Sequence, residues 1–162
     1  MGNHTECIEI DYDPLIISYE DLLHEFWTLH SGKNHGYGGR QYLSLLLFRS
    51  NEEKQTALKV RTIYEERKGS KIDTELSAFQ SFYPAENYHQ KYSLRRFKKA
   101  WEPLQNHFSS EEDIRDSLLA AKLNAAAQGE LTMNEIYSNL SLWTADENQQ
   151  QEWKKLLQSV KW

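Results

Sequence analysis

Two adjacent residues near the start of the chain, Glu6 and Cys7, are of types that could do chemistry. They lie in NHTECIEIDYDP, residues 3–14, where Ile8, Ile10 and Tyr12 alternate with Cys7, Glu9 and Asp11. That alternation predicts a half-buried strand, ended by Asp13-Pro14 because proline donates nothing to a ladder. Glu6 shares the parity of the apolar set. A carboxylate there is either half-solvated at a sheet edge or held in a pocket. In a pocket, desolvation would raise its pKa and let it act as a proton donor; most carboxylates at such positions are simply solvated. Cys7 has the opposite parity. A thiol attacks as its thiolate, and no helix N-terminus or basic neighbour in the sequence lowers the pKa of this one. The favoured reading of Cys7 is an inert strand residue, with a nucleophile as the alternative. As the chain's single cysteine it forms no internal disulfide, so a reducing compartment is the default.

Other tempting groups carry less. His24, His30 and His35 are six and five residues apart, spacings that place no two imidazoles on one helical face, so no metal site is expected. The glycine-rich loop GKNHGYGGR leads into an apolar strand pattern instead of a helix N-terminus and lacks a Lys-Ser/Thr ending. It reads as a surface loop and not as a phosphate cradle. No Gly-x-Ser-x-Gly elbow occurs.

The whole chain bounds these readings. Its 162 residues, 39% hydrophobic and 27% charged, suit one soluble domain with a real core. A net charge of −5 argues against nucleic acid or an anionic membrane as the main partner, since both select basic surfaces. No apolar run is long enough to span a bilayer. The start shows no signal-peptide composition, and MGNHTE has Glu6 where a myristoylation signal wants Ser or Thr. The cytoplasm is the default location.

The elements that must hold Glu6 follow in order. SYED is a capping box that opens a helix at Ser18, with Leu22, Leu23, Phe26, Trp27 and Leu29 as its apolar stripe. Residues 41–48, QYLSLLLF, predict a strand buried on both faces. SNEE opens a second helix over 51–68, with Ala57, Val60, Ile63 and Tyr64 inward and Gly69 as its stop. A further strand spans 71–79, with Ile72, Thr74 and Leu76 on one face. Strand, helix, strand, helix, strand points to an α/β or α+β sandwich with helices packed on a small mixed sheet. Beyond Tyr83-Pro84 the pattern is helical: a helix continuing from the Phe82–Tyr92 segment to Pro103, one over 110–128, one from Thr132, and a last amphipathic helix over 145–162.

Four stretches, NHTECIEIDYDP, ISYEDLLHEFWTLH, GRQYLSLLLF and FYPAENYHQKYSLR, in that order, resemble the peptide-methionine (S)-S-oxide reductases, the class A methionine sulfoxide reductases. That family's pattern is Gly-His-x-Glu-x-Val with Tyr-Asp-Pro, a Ser-Tyr-Glu-x-Leu helix, a Gln-Tyr-x-Ser strand and Phe-Tyr-x-Ala-Glu-x-Tyr-His-Gln. The resemblance implies a reductase-like domain over 1–94 and a helical C-terminal extension over 95–162 packed on it. KLNAAAQGEL looks like part of the extension of a divergent eukaryotic branch. It also implies thiol-dependent reduction of methionine sulfoxide in peptides and proteins, the repair of oxidative damage. A cysteine thiolate attacks the sulfoxide sulfur, a glutamic acid protonates the oxygen, and tyrosines hold that oxygen. By position Glu6 matches the glutamic acid and Tyr42 one of the tyrosines. No bound cofactor is implied, only an external thiol such as thioredoxin or dithiothreitol.

The departures bear on activity. The family nucleophile sits in Gly-Cys-Phe-Trp, ahead of the Glu6 motif, and that motif is absent here, which reads as a truncation. Cys7 matches an ordinary strand position. Tyr37 sits near where many members place an aspartate, and no C-terminal resolving cysteine is present. Impaired activity is therefore expected. The competing expectation is a non-catalytic protein that binds oxidised peptides or a partner through an exposed sheet edge or the helical tail.

Overall fold

A computed structural model describes residues 4–34 and 36–162. The start of the expected first strand at Asn3, the Met1-Gly2 start and His35 lie outside the described residues. The chain divides into two compact units, Met1–Phe82 and Tyr83–Trp162.

The first unit is built around a strand–helix–strand crossover. Helix α1, Tyr19–Leu29, begins with the anticipated capping box: Asp21 N–H donates to Ser18 Oγ at 3.1 Å and Ser18 N–H to Asp21 Oδ2 at 3.2 Å. Strand β1, Leu45–Phe48, leads into α2, Asn51–Lys68, capped by Ser50 and closed by Gly69 in the left-handed region at φ 62°. Strand β2, Glu75–Ala78, returns parallel to β1 in the register Leu45 with Glu75 through Phe48 with Ala78. Leu23 and Trp27 of α1 pack with Ala57, Val60 and Tyr64 of α2 and with Ile72 to form this unit's core. The α/β class holds, with helices packed on a small sheet of two parallel strands among the described residues.

Three details of this unit differ from the sequence patterns. Residues 4–13 run without turn or bend but form no strand; among the described residues, the backbone of residues 5–13 makes one ladder bond, Glu6 N–H to Gln41 C=O at 2.9 Å. The apolar set of that stretch faces out instead of in, with Ile8 84% and Ile10 53% exposed. Strand β1 is four residues long and only partly buried, since turns closed by Gln41 N–H to Gly38 C=O and Leu43 N–H to Arg40 C=O take up the residues before it. Leu29, at the end of the α1 stripe, is exposed.

The second unit is helical. A 3-10 turn at Asn87–His89 precedes α3, Tyr92–Arg95, and α4, Lys98–His107. Helix α4 runs through Pro103 instead of ending there: Ala100, Trp101 and Leu104 are buried around it, and their packing outweighs the bond that proline cannot donate. The helix expected over 110–128 is two, α5 at Glu111–Asp116 and α6 at Leu118–Ala127. The break is at Ser117, whose hydroxyl caps α6 by accepting from Ala120 N–H at 3.2 Å. Helix α7, Met133–Trp143, opens with a Thr132–Glu135 capping box, and α8, Glu147–Ser159, with Asp146. Leu94 is fully buried in this helical core and its N–H donates to Asn124 Oδ1 at 3.1 Å. The division between the compact units falls at Phe82/Tyr83. Among the described residues no helix is long and apolar enough to cross a membrane.

Candidate functional site

The carboxylate of Glu6 is held from two directions by one residue. Gln41 Nε2 donates to Glu6 Oε1 at 2.7 Å, and the Glu6 backbone N–H donates to the Gln41 carbonyl at 2.9 Å. The pair of contacts fixes both the backbone and the side chain of Glu6 against the segment that carries Tyr42. Glu6 is exposed and its carboxyl is not enclosed by apolar groups, so of the two placements open in the sequence, the solvated edge is the one adopted.

Tyr42 is positioned by the glycine loop. Its ring lies 5.7 Å from that of Tyr37, at 44° between planes. Gly38 has φ +70°, and a Cβ there would stand 2.3 Å from Cδ2 of Tyr42. Only glycine satisfies both the backbone and the ring at this point. The loop is tied to β2 by Arg40, whose guanidinium donates to both Glu75 oxygens at 3.2 and 3.1 Å. These bonds hold the Glu75 carboxyl below the usual carboxylate range, with Ser77 adding to the effect. A bidentate clamp of this kind fixes geometry as well as charge.

Behind the loop a chain of polar groups crosses the unit. Trp27 Nε1 donates to Thr74 Oγ1 at 3.2 Å, Thr74 and Ser44 hydroxyls are 2.9 Å apart, and Ser44 Oγ is 3.1 Å from His30 Nε2. Thr74 is the buried polar residue of this unit's core. Burial lowers the His30 pKa, and the nearby Lys68 charge acts in the same direction. The sequence signalled this network only through Thr74, a hydroxyl on the apolar parity of its strand. The Gln41 hold on Glu6 went unseen, although both residues stand in the motifs that carried the resemblance.

Cys7 faces a cleft that neither Glu6 nor Tyr42 lines. It is partly buried, and Ile8, Ile10, Tyr19 and Phe79, among others, line that cleft of about 310 Å³ with it. Burial pushes its thiol pKa up, which leaves it less thiolate than a free cysteine. His24 lies against Tyr64, ring centroids 5.7 Å apart, whereas the partner of His30 is Ser44.

The arrangement fastens the Glu6 carboxylate, at an exposed edge, to Gln41, the residue that precedes Tyr42 in the chain. Comparison with known proteins gives that edge a context. The sequence model of the family "Peptide methionine sulfoxide reductase" matches residues 1–121. A peptide methionine sulfoxide reductase of Drosophila melanogaster is 42% identical over 135 residues, which cover 80% of this chain and 52% of that protein. Peptide methionine sulfoxide reductase A5 of rice, Oryza sativa subsp. japonica, is 36% identical over 132 residues, 78% of this chain and 51% of its own. The enzyme named MsrA of Sulfolobus acidocaldarius is 37% identical over 93 residues, 55% of this chain and 53% of its own. The chain thus spans about half the length of these relatives. It belongs to the peptide methionine sulfoxide reductase family.

Proposed function

We propose that the Glu6–Gln41–Tyr42 edge serves the thiol-dependent reduction of methionine (S)-sulfoxide in peptides and proteins, and that this chain supplies the proton-donating and oxygen-holding side of that reaction. The observation that carries the reading is the double tie of Glu6 to Gln41, the residue that precedes Tyr42 in the chain.

The chemistry assigns each group a task. Sulfoxide oxygen leaves poorly until it is protonated, so a proton is delivered to it as the sulfur is attacked; in this reading Glu6 is the carboxyl through which that proton passes and the Tyr42 hydroxyl holds the oxygen. A thiolate attacks the sulfur. A second thiol then completes the reduction: the two thiols give up two electrons and become a disulfide, the sulfoxide becomes the sulfide, and its oxygen leaves as water. The external thiol is thioredoxin or a small dithiol, consistent with a reducing cytoplasm. Cys7 is not the attacking group in this reading, since its thiol pKa is raised and it lines a cleft that includes neither Glu6 nor Tyr42. With no other cysteine in the chain, reduction by this chain stays near the rate of the external thiol alone.

Binding is the test that does not need turnover. A blocked methionine sulfoxide peptide, titrated as separate S and R epimers and followed by NMR, binds preferentially as the S epimer. Tyr42→Phe weakens it by about threefold to tenfold, the worth of one hydrogen bond. Equal affinity for the two epimers, unchanged in Tyr42→Phe and Glu6→Ala, would overturn the assignment.

A further inference from the structure

We propose that His30 is a positioning residue for Tyr42: as a neutral ring protonated on Nδ1 it ends a one-way hydrogen-bond chain, Trp27 to Thr74 to Ser44 to His30, and a proton taken up on Nε2 breaks the last link and frees the segment that carries Tyr42. The consequence for peptide binding rests on the sulfoxide reading above; the direction of the chain and its hold on Tyr42 do not.

The direction follows from what each group can donate and accept. Trp27 Nε1 is a donor only, so Thr74 Oγ1, 3.2 Å away, accepts from it. Thr74 is 3% exposed, and a Cβ on Gly32 would stand 3.3 Å from its Oγ1, so the loop closes over the hydroxyl and solvent does not serve it. Its other partner among the described residues is Ser44 Oγ at 2.9 Å, which therefore receives the Thr74 hydrogen. The Ser44 hydrogen goes on to His30 Nε2 at 3.1 Å. An imidazole that accepts at Nε2 carries its proton on Nδ1. Nδ1 is buried without a hydrogen-bond partner among the described residues, and the Phe26 and His30 carbonyls favour a proton on the ring. Run in this order, the chain strands one group, Nδ1. Run in reverse, it strands two, Nδ1 and the Thr74 hydroxyl.

A proton on Nε2 sets a donor against the Ser44 hydroxyl. Ser44 must then turn its hydrogen back to Thr74, whose own hydrogen is left buried without an acceptor. Lys68 of α2, its Nζ 3.5 Å from the His30 carbonyl, adds a like charge against that proton. The other titratable groups of the neighbouring elements are engaged elsewhere. Tyr64 of α2 bonds Thr28 and the His24 carbonyl, Glu75 of β2 bonds Arg40 and Ser77, and Asp73 accepts from Asn34 N–H. The cost is relieved by parting Ser44 from the ring. Ser44 stands two residues after Tyr42, and its hydroxyl ties that segment to the buried chain, while its carbonyl accepts from Glu75 N–H at 2.9 Å.

The experiment uses the full chain labelled with nitrogen-15 and carbon-13. Long-range proton–nitrogen NMR at about pH 7.5 finds His30 protonated on Nδ1 and bare on Nε2, and the Tyr42 amide signal moves with the His30 ring as the pH falls to about 5. His30→Gln, whose side-chain oxygen accepts from Ser44 without titrating, keeps the Tyr42 signal in place at the upper pH and abolishes its movement. Ser44→Ala displaces the signal at every pH. Affinity for the S-epimer peptide falls at least about threefold over the same range in the unaltered chain and holds steady in His30→Gln. A His30 ring protonated on Nε2 at the upper pH, or a Tyr42 signal that stays still throughout, overturns the proposal. So does a movement that survives in His30→Gln, since another group then drives it. If neither epimer is preferred at any pH, the sulfoxide reading fails, and the ring and Tyr42 signals still decide this one.

Discussion

At the scale of single residues, the site depends on who holds Glu6 and who makes room for Tyr42. Gln41 does the first through two hydrogen bonds, and Gly38 the second by having no Cβ. Gly38→Ala forces a methyl into the Tyr42 ring at a positive φ, so the ring must move. The expected cost is about 1–2 kcal/mol, read from urea unfolding, with a loss of epimer preference in peptide binding. His30 makes a pH prediction. Burial holds its imidazole below its ordinary pKa, so the fold favours the neutral ring, while the unfolded chain takes up a proton near about pH 6.5. The contribution is full above that value and declines as the pH falls from there toward the folded pKa. Urea midpoints measured between about pH 5 and 7.5 decrease toward acid, and His30→Gln flattens the slope. The identity of Glu6 and Tyr42 as candidates was legible in the sequence. Their support was not, because a hydrogen bond between residues 6 and 41 and a ring packed on a glycine are tertiary facts with no local signature.

At the scale of elements, local chemistry was the most readable part. Ser18 with Asp21 and Ser50 with Glu53 were visible as caps and each opens its helix, as Thr132 with Glu135 opens α7. Ser50→Ala removes the acceptor for Glu53 N–H at the start of α2 and should destabilise the first unit by about 1 kcal/mol, measured by urea denaturation. The failures have one cause in common. Periodicity says which residues could share a face, and only neighbours decide whether that face is covered. Residues 5–13 alternate as a strand does but find one ladder bond among the described residues, and their isoleucines stay in water. Ser117 interrupts a continuous helical pattern because its hydroxyl caps the helix after it. Pro103 does not stop α4 because Trp101 and Leu104 are locked in the core on either side. Leu104→Ala should therefore cost about 2–5 kcal/mol and lower the thermal midpoint of the helical unit, whereas the exposed Leu29→Ala should leave stability within about 0.5 kcal/mol.

At the scale of the whole molecule, two compact units share one chain, and the family match, over residues 1–121, reaches from the first into the second. Four short stretches in register carried that identification from sequence, while the two-strand sheet and the extent of the helical unit emerged only from the fold. The chain spans about half the length of the relatives it matches and contains a single thiol, Cys7, raised in pKa and facing a cleft that neither Glu6 nor Tyr42 lines. Under the proposed function, Glu6 and Tyr42 act on the sulfoxide oxygen and no group of this chain attacks the sulfur. The most direct test is the rate at which excess dithiothreitol reduces an S-epimer methionine sulfoxide peptide in the presence of the folded chain and of its Cys7→Ser variant. The account predicts that both rates match dithiothreitol alone. A faster rate with the unaltered chain that disappears in Cys7→Ser would contradict it and make Cys7 the attacking group.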